Sequence, residues 1–188
     1  MREAAKAKRR ELEALALSAA LLLAFGIQPA AAGPKPQPAG RETPSGLPVP
    51  RYVALKFDKV NARRGPGDDY PLLWVYRAKN LPLQIVAETE EWRRVCDPDG
   101  SLAWVHRRTV DSRRTVMNTR RQPVAMRRAP REEAPLAAEL VGRALAELKD
   151  CKGDWCKVSV GRTSGWVKAA EVWGTSDAPQ CTAAKPHG

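Results

Sequence analysis

Cysteine and histidine are the residues here that could do chemistry unaided, and the tryptophans are the ones that could hold a ligand. The cysteines are Cys96, Cys151, Cys156 and Cys181; the histidines are His106 and His187. Cys151 and Cys156 flank Lys152-Gly153-Asp154-Trp155. Redox and zinc motifs hold their thiols two residues apart and recruit further ligands, so CKGDWC does not read as a redox or metal site. His106 directly follows Trp104-Val105 and reads as a strand-end surface residue, and His187 is next to the last residue. Neither has a catalytic partner at a recognisable spacing, and no nucleophile elbow or phosphate loop is present. The sequence predicts a non-enzyme, with no catalytic residues, no metal and no cofactor.

The fate of the cysteines depends on the compartment. Arg2, Lys6, Lys8, Arg9 and Arg10 precede an apolar run from Leu15 to Ile27, and Ala30-Ala31-Ala32 fits a small-residue cleavage site. Residues 1–32 therefore read as a secretory signal peptide. The run is too short for a membrane span, which needs about 20 residues, and no later stretch is long and apolar enough to be one. Removing its five basic and three acidic residues leaves 27 against 18, a net charge of +9. In a periplasmic or secreted protein such a surface meets anionic envelope polymers, lipid headgroups or acidic peptides rather than nucleic acid.

In that compartment four cysteines read as two disulfides. With Gly153-Asp154 as a two-residue turn, Lys152 faces Trp155 and Cys151 faces Cys156, with Cα atoms about 4.5 Å apart. So short a loop contributes about 2 kcal/mol. Cys96 and Cys181 remain for the second bond, Cys96 alternating onto the Trp92 face where the C-terminal tail can reach it.

The elements that must position these residues come from one pattern used twice. EWRRV, a DPDG turn and SLAWV surround Trp92 and Trp104; DWCKV, VGRTS and GWV surround Trp155 and Trp166. Each reads as a β-hairpin with a tryptophan at the start of each strand and valines on the opposite face. NARRGP from Asn61 aligns with AMRRAP from Ala125, and Pro71 with Pro135, at an offset of 64, which falls to 63 at the first tryptophans and 62 at the second. This divides the chain into a proline- and glycine-rich linker (33–50), two domains (51–118 and 119–175) and a tail (176–188), the domains close enough in sequence to form a fixed tandem. Copy one shows short strands from Tyr52, Val60, Leu72 and Leu81, a helical turn over Arg107 to Val110, and a closing strand over Arg113 to Met117. The fold class is all-β, two small antiparallel barrels or rolls. Leu136 to Leu148 has helical composition, but its counterpart in copy one contains Pro82, so the alignment predicts strands there too. By the same alignment Glu88 and Arg93 stand where Cys151 and Cys156 stand, an opposite-charge pair closing the equivalent position.

The W-x-x-V, turn, G-W-V hairpin preceded by Asn-x-Arg-x-Gly-Pro-Gly (NARRGPG) resembles the bacterial SH3-like domain, and the tandem resembles its exported two-copy subfamily, over roughly Arg51 to Thr175. The resemblance implies a five-stranded, partly open barrel serving as a targeting or binding module. Many members bind peptidoglycan or its stem peptides, often beside a hydrolase domain, which these copies lack. Copy two departs from the motif, with Ala125, Ala129 and Arg131 where copy one has Asn61, Gly65 and Gly67. That leaves the fold intact and questions any ligand role of the loop in copy two.

Two groups of side chains are binding candidates. Tyr70, Trp74, Tyr76 and Trp92 could line an aromatic groove in copy one; copy two has Leu136, Ala138 and Leu140 where copy one has Leu72, Trp74 and Tyr76. The competing reading is core or interdomain packing, which also suits Trp104 and Trp166. The arginine doublets from Arg107 to Arg128, Arg113 and Arg114 among them, form either a positive stripe for carboxylates or solubilised strand edges. The expected partners are peptidoglycan with its acidic stem peptides or, alternatively, an acidic envelope protein bound by a scaffold.

Overall fold

A computed structural model describes residues 43–181. The expected signal peptide, most of the linker, and the end of the tail with His187 lie outside the described residues.

The strands of the first copy are β1 (Arg51–Leu55), β2 (Val60–Arg63), β3 (Leu72–Tyr76), β4 (Pro82–Glu88), β5 (Trp92–Cys96), β6 (Leu102–His106) and the two-residue β7 (Val110–Asp111). They form an antiparallel sheet in the order β3-β2-β6-β5-β4-β1-β7. The second copy contributes β8 (Thr115–Met117), β9 (Val124–Arg127), β10 (Leu136–Leu140), β11 (Leu145–Lys152), β12 (Trp155–Val160) and β13 (Thr163–Lys168), in the order β10-β9-β13-β12-β11-β8. In neither sheet is the last strand hydrogen-bonded to the first, so each small barrel is partly open.

Alternation builds both cores. Val95 and Val105 turn inward with Leu55, Leu83 and Ile85, while Val158 and Val167 turn inward with Val124, Met126 and Leu140. The copies fill equivalent space differently. Ala62 and Ala103 of the first become Met126 and Gly165 in the second, and a Cβ on Gly165 would stand 2.9 Å from that of Met126. The glycine leaves the room that the larger methionine side chain needs.

The helix-like stretch from Leu136 is strand, as the alignment requires, because β10 and β11 are separated by a turn with Arg143 at φ 65°. Asn80 occupies the same turn in the first copy at φ 66°. Asparagine tolerates this left-handed conformation better than arginine. Arg143 gains a compensating contact, a two-pronged ion pair with Asp99 of the first copy at 2.6 and 3.1 Å.

Two expectations about the hairpins need correction. Trp92 and Trp155 begin their strands, but Trp104 and Trp166 lie within β6 and β13. The strand expected to close copy one instead pairs with β11, Val116 opposite Ala146 and Met117 opposite Leu145; the closing partner of β1 is β7. The reason is again alternation, since Val116 enters the second core while Met117 enters the first, so β8 joins the two hydrophobic clusters. Met117 and Trp173 exchange backbone hydrogen bonds of 3.0 and 2.9 Å, and Trp173 stands edge-on to Tyr52 at 5.2 Å.

Both disulfides are present. Cys151 lies opposite Cys156 in the β11–β12 ladder, Cα atoms 4.0 Å apart, and Lys152 lies opposite Trp155. Cys96 is joined to Cys181 across 85 residues, tying the tail after the second copy to a core strand of the first. Beside it the buried Gln84 side chain donates to Ala178 O at 2.9 Å and accepts from Gln180 N–H at 2.8 Å, so the tail docks as a short strand would. Residues 43–50, the end of the proline-rich stretch, also lie on the first sheet: Ser45 N–H donates to Glu88 at 2.9 Å, and Val49 packs against the core.

Candidate functional site

Trp92 opens β5 and lies directly opposite His106, the last residue of β6. The rings meet edge-on with centroids 5.3 Å apart. His106 also caps the one-turn 3-10 helix Arg107–Thr109, its Nδ1 accepting the backbone N–H of Arg108 at 3.1 Å, and its Nε2 faces Glu91 at 3.4 Å. Trp92 and His106 line a cleft of about 330 Å³ together with Lys59, Val60, Asn61, Arg63, Asp68 and Thr109.

The wall containing Asn61 is shaped by the loop after β2. Arg63 donates to Tyr70 O at 2.9 Å and pairs with Asp68 at 3.2 Å, while Arg64 N–H bonds to Pro71 O at 3.0 Å. The second copy repeats this frame: Arg127 donates to Ala134 O at 3.0 Å, and Arg128 N–H to Pro135 O at 2.9 Å. The arginine of the Asn-x-Arg motif is therefore a loop anchor in both copies. Neither Gly65 nor Gly67 has a positive φ; what they provide is room, because the Tyr70 ring lies against both. Ala129 replaces Gly65 where Ala134 replaces Tyr70, so the second copy loses glycine and ring together.

Gly65→Ala tests that pairing. A methyl at this position overlaps Tyr70 ring carbons, and the exposed ring can swing outward, so we expect a stability loss of only about 1 kcal/mol. The change should appear as altered tyrosine mobility in NMR spectra, and an undisturbed Tyr70 would reject the stacking argument.

Only some of the sequence-predicted candidates meet. Trp92 lines the cleft, and Tyr70 is 46% exposed on the adjoining loop. Trp74 is half-buried, edge-on to Tyr76 at 5.8 Å. Tyr76 itself is a core residue whose hydroxyl donates to buried Asp97 at 3.0 Å; burial, then the Asp97 charge, raises its pKa. It belongs to the packing alternative because its strand turns inward at that end. The arginines do not form one free stripe. Arg113 pairs with Asp111 at 2.7 Å, and Arg114 lies 5.1 Å over the Tyr52 ring and donates to Gly174 O at 3.1 Å. Arg107 pairs with Glu91 at 3.0 Å and Arg120 with Glu171 at 3.5 Å.

Lys59, Asn61, Asp68 and His106 were not among the sequence-based candidates. Hairpin register was the available signal for His106, because the DPDG turn puts it opposite Trp92.

A family model described as bacterial SH3 domain matches residues 56–112 and again 120–174, together more than half of the chain. The chain belongs to the bacterial SH3 domain family. Its members are binding domains, here in tandem, and the two disulfides fit an oxidising compartment. No curated protein matches this bacterial SH3 chain. Among solved structures, it is similar to NlpC2 from Trichomonas vaginalis, at 8% identity and a TM-score of 0.31, covering 66% of this chain and 48% of that one. NlpC1 from the same organism has the same identity and TM-score, over 72% and 48%. The chain spans about half the length of those two proteins, and likeness at this level says nothing of activity.

Proposed function

We propose that this tandem bacterial SH3 protein is an exported, non-catalytic module of the cell envelope that binds peptidoglycan or its stem peptides through its first copy. The observation that carries this reading is the cleft lined by Trp92, which combines an aromatic ring with the polar side chains of Lys59, Asn61, Arg63 and His106. Six of the eight lining residues are polar or charged, so the cleft offers several directing groups around one aromatic ring. Tyr70, exposed on the adjoining loop, supplies a further ring.

A second reading is a protein-binding scaffold, favoured by β3. That strand ends the first sheet and exposes Leu72 by 50% and Leu73 by 38%. An edge strand with apolar side chains can take an extended segment by strand addition.

Sedimentation with purified sacculi distinguishes the two. The mature protein should pellet at low salt, and Tyr70→Ala combined with Asn61→Ala should lower the affinity by about tenfold, as loss of an anchoring ring and a directing group does. Protein remaining in the supernatant would sink the peptidoglycan reading and leave the scaffold.

A further inference from the structure

The two copies place the same backbone around different side chains, and the difference bears on what the cleft accepts. Lys168 lies opposite Trp155 as His106 lies opposite Trp92. Its Nζ stands 6.0 Å from the Trp155 ring centroid and is ion-paired to Glu132, from the loop after β9. That pair bridges the two walls of the second copy. In the first copy Asp68 stands where Glu132 stands, one methylene shorter. It pairs with Arg63 on its own wall, with its side chain 82% exposed, while His106 turns to Glu91 and Arg108. No ion pair joins Asp68 to His106, and both line the cleft.

We propose that the first copy's cleft binds the carboxylate of an acidic peptide, in the place that the Glu132 carboxylate takes in the second copy, and that the second copy is closed by its own Lys168–Glu132 pair. The proposal rests on the reading of this cleft as the binding site and adds which chemical group it takes. Two observations argue for an anion rather than a cation. The lining brings Lys59 and Arg63 against one carboxylate, Asp68, which Arg63 already neutralises, while His106 faces Glu91. No carboxylate among the described residues pairs with Lys59. The second copy has also lost the directing groups, with Pro123 and Ala125 in place of Lys59 and Asn61. A carboxylate held by an ammonium and an amide makes charge-assisted hydrogen bonds, stronger than neutral ones.

The test is an NMR titration of the full oxidised chain with the α-amide of N-acetylglutamate, whose one carboxylate is that of the side chain, using the α-amide of N-acetylglutamine, which has none, as control. The glutamate compound should shift the Trp92 indole N–H and the Asn61 side-chain amide saturably and leave Trp155 unmoved, while the glutamine compound shifts neither. Lys59→Ala should weaken binding by about threefold, the scale of a partly exposed charge pair. Glu132→Gln, an exposed change that keeps side-chain size, should make Trp155 respond. Equal shifts from both compounds, parallel movement of Trp92 and Trp155 in the unaltered chain, or an unmoved Trp92 would overturn the carboxylate cleft. A silent Trp155 in the Glu132→Gln chain would overturn the closure of the second copy. Pelleting with sacculi without the shift by the glutamate α-amide rejects this cleft and leaves peptidoglycan binding standing, and the shift without pelleting does the reverse.

Discussion

Replacing Glu88 by glutamine should lower the unfolding free energy near neutral pH by up to roughly 3 kcal/mol and remove much of the protein's sensitivity to acid. The Glu88 carboxylate has no solvent exposure and lies between two cations, Arg51 at 2.5 Å and Arg93 at 3.1 Å. Ser45 donates to it through both its backbone N–H and its hydroxyl. Burial alone would raise the carboxyl's pKa, but the hydrogen bonds from Ser45 and Arg51 outweigh it and hold the value at about 2. Against an ordinary value of 4.5 that is a depression of two and a half units, at about 1.4 kcal/mol each. The cluster lies near the surface, where solvent screens it, so roughly 3 kcal/mol is an upper figure.

Because the folded-state pKa is the lower one, this stabilisation is fully present above about pH 4.5 and is lost as the pH falls towards 2. Urea melts of both forms at pH 7, 4 and 3 would show it. The unaltered protein should lose stability over that range, and the Glu88→Gln protein, already weaker, should lose less. Parallel curves would mean that Glu88 does not carry the linkage.

The second large effect belongs to the bond between Cys96 and Cys181. Closing a loop over 85 residues removes unfolded-state entropy equivalent to about 4.5 kcal/mol, against about 2 kcal/mol for the six-residue loop of Cys151 and Cys156. The long bond also holds the tail whose backbone satisfies the buried Gln84 amide. Without it the tail can leave, and water must reach Gln84 or its polar atoms go unpaired. Replacing Cys96 and Cys181 by alanine should therefore cost about 3 to 4.5 kcal/mol, roughly twice the loss on replacing Cys151 and Cys156. Chemical denaturation under non-reducing conditions would compare them, with exchange of the Gln180 amide proton reporting tail release. Equal losses from the two double variants would reject the clamp.

Much of the fold was legible because a hairpin's constraints are local. The CKGDWC turn follows from two facts, that a two-residue turn sets the register and that opposed residues meet. The same register puts Glu88 opposite Arg93, as the alignment of the copies predicts. Repetition overruled the helical composition of Leu136 to Leu148, since Arg143 must turn where Asn80 turns. The ownership of β8 was not legible. Thr115–Met117 has residues suited to either core, and only the packed tandem sends Val116 to one and Met117 to the other.

The candidate site was less legible for the same reason. Aromatic residues in the sequence suggested a groove, but a strand's alternation does not say which face a small open barrel will close. Tyr76 went into the core and Trp92 came to line the cleft, while Lys59 and Asn61 arrived there from the start of β2 and His106 from the end of β6. Glu88 likewise shows only one partner in the sequence; Arg51 and Ser45 join it because β1 lies beside β4. The amino-acid sequence by itself determined the all-β class, the two copies and the short-range disulfide, since each rests on spacing within a hairpin or on repetition. The tertiary structure alone decided that β8 serves two cores, that the tail is clamped across the first sheet, and that the first cleft stands open where an ion pair spans the second. Each of these depends on side chains distant in sequence competing for the same space and charge.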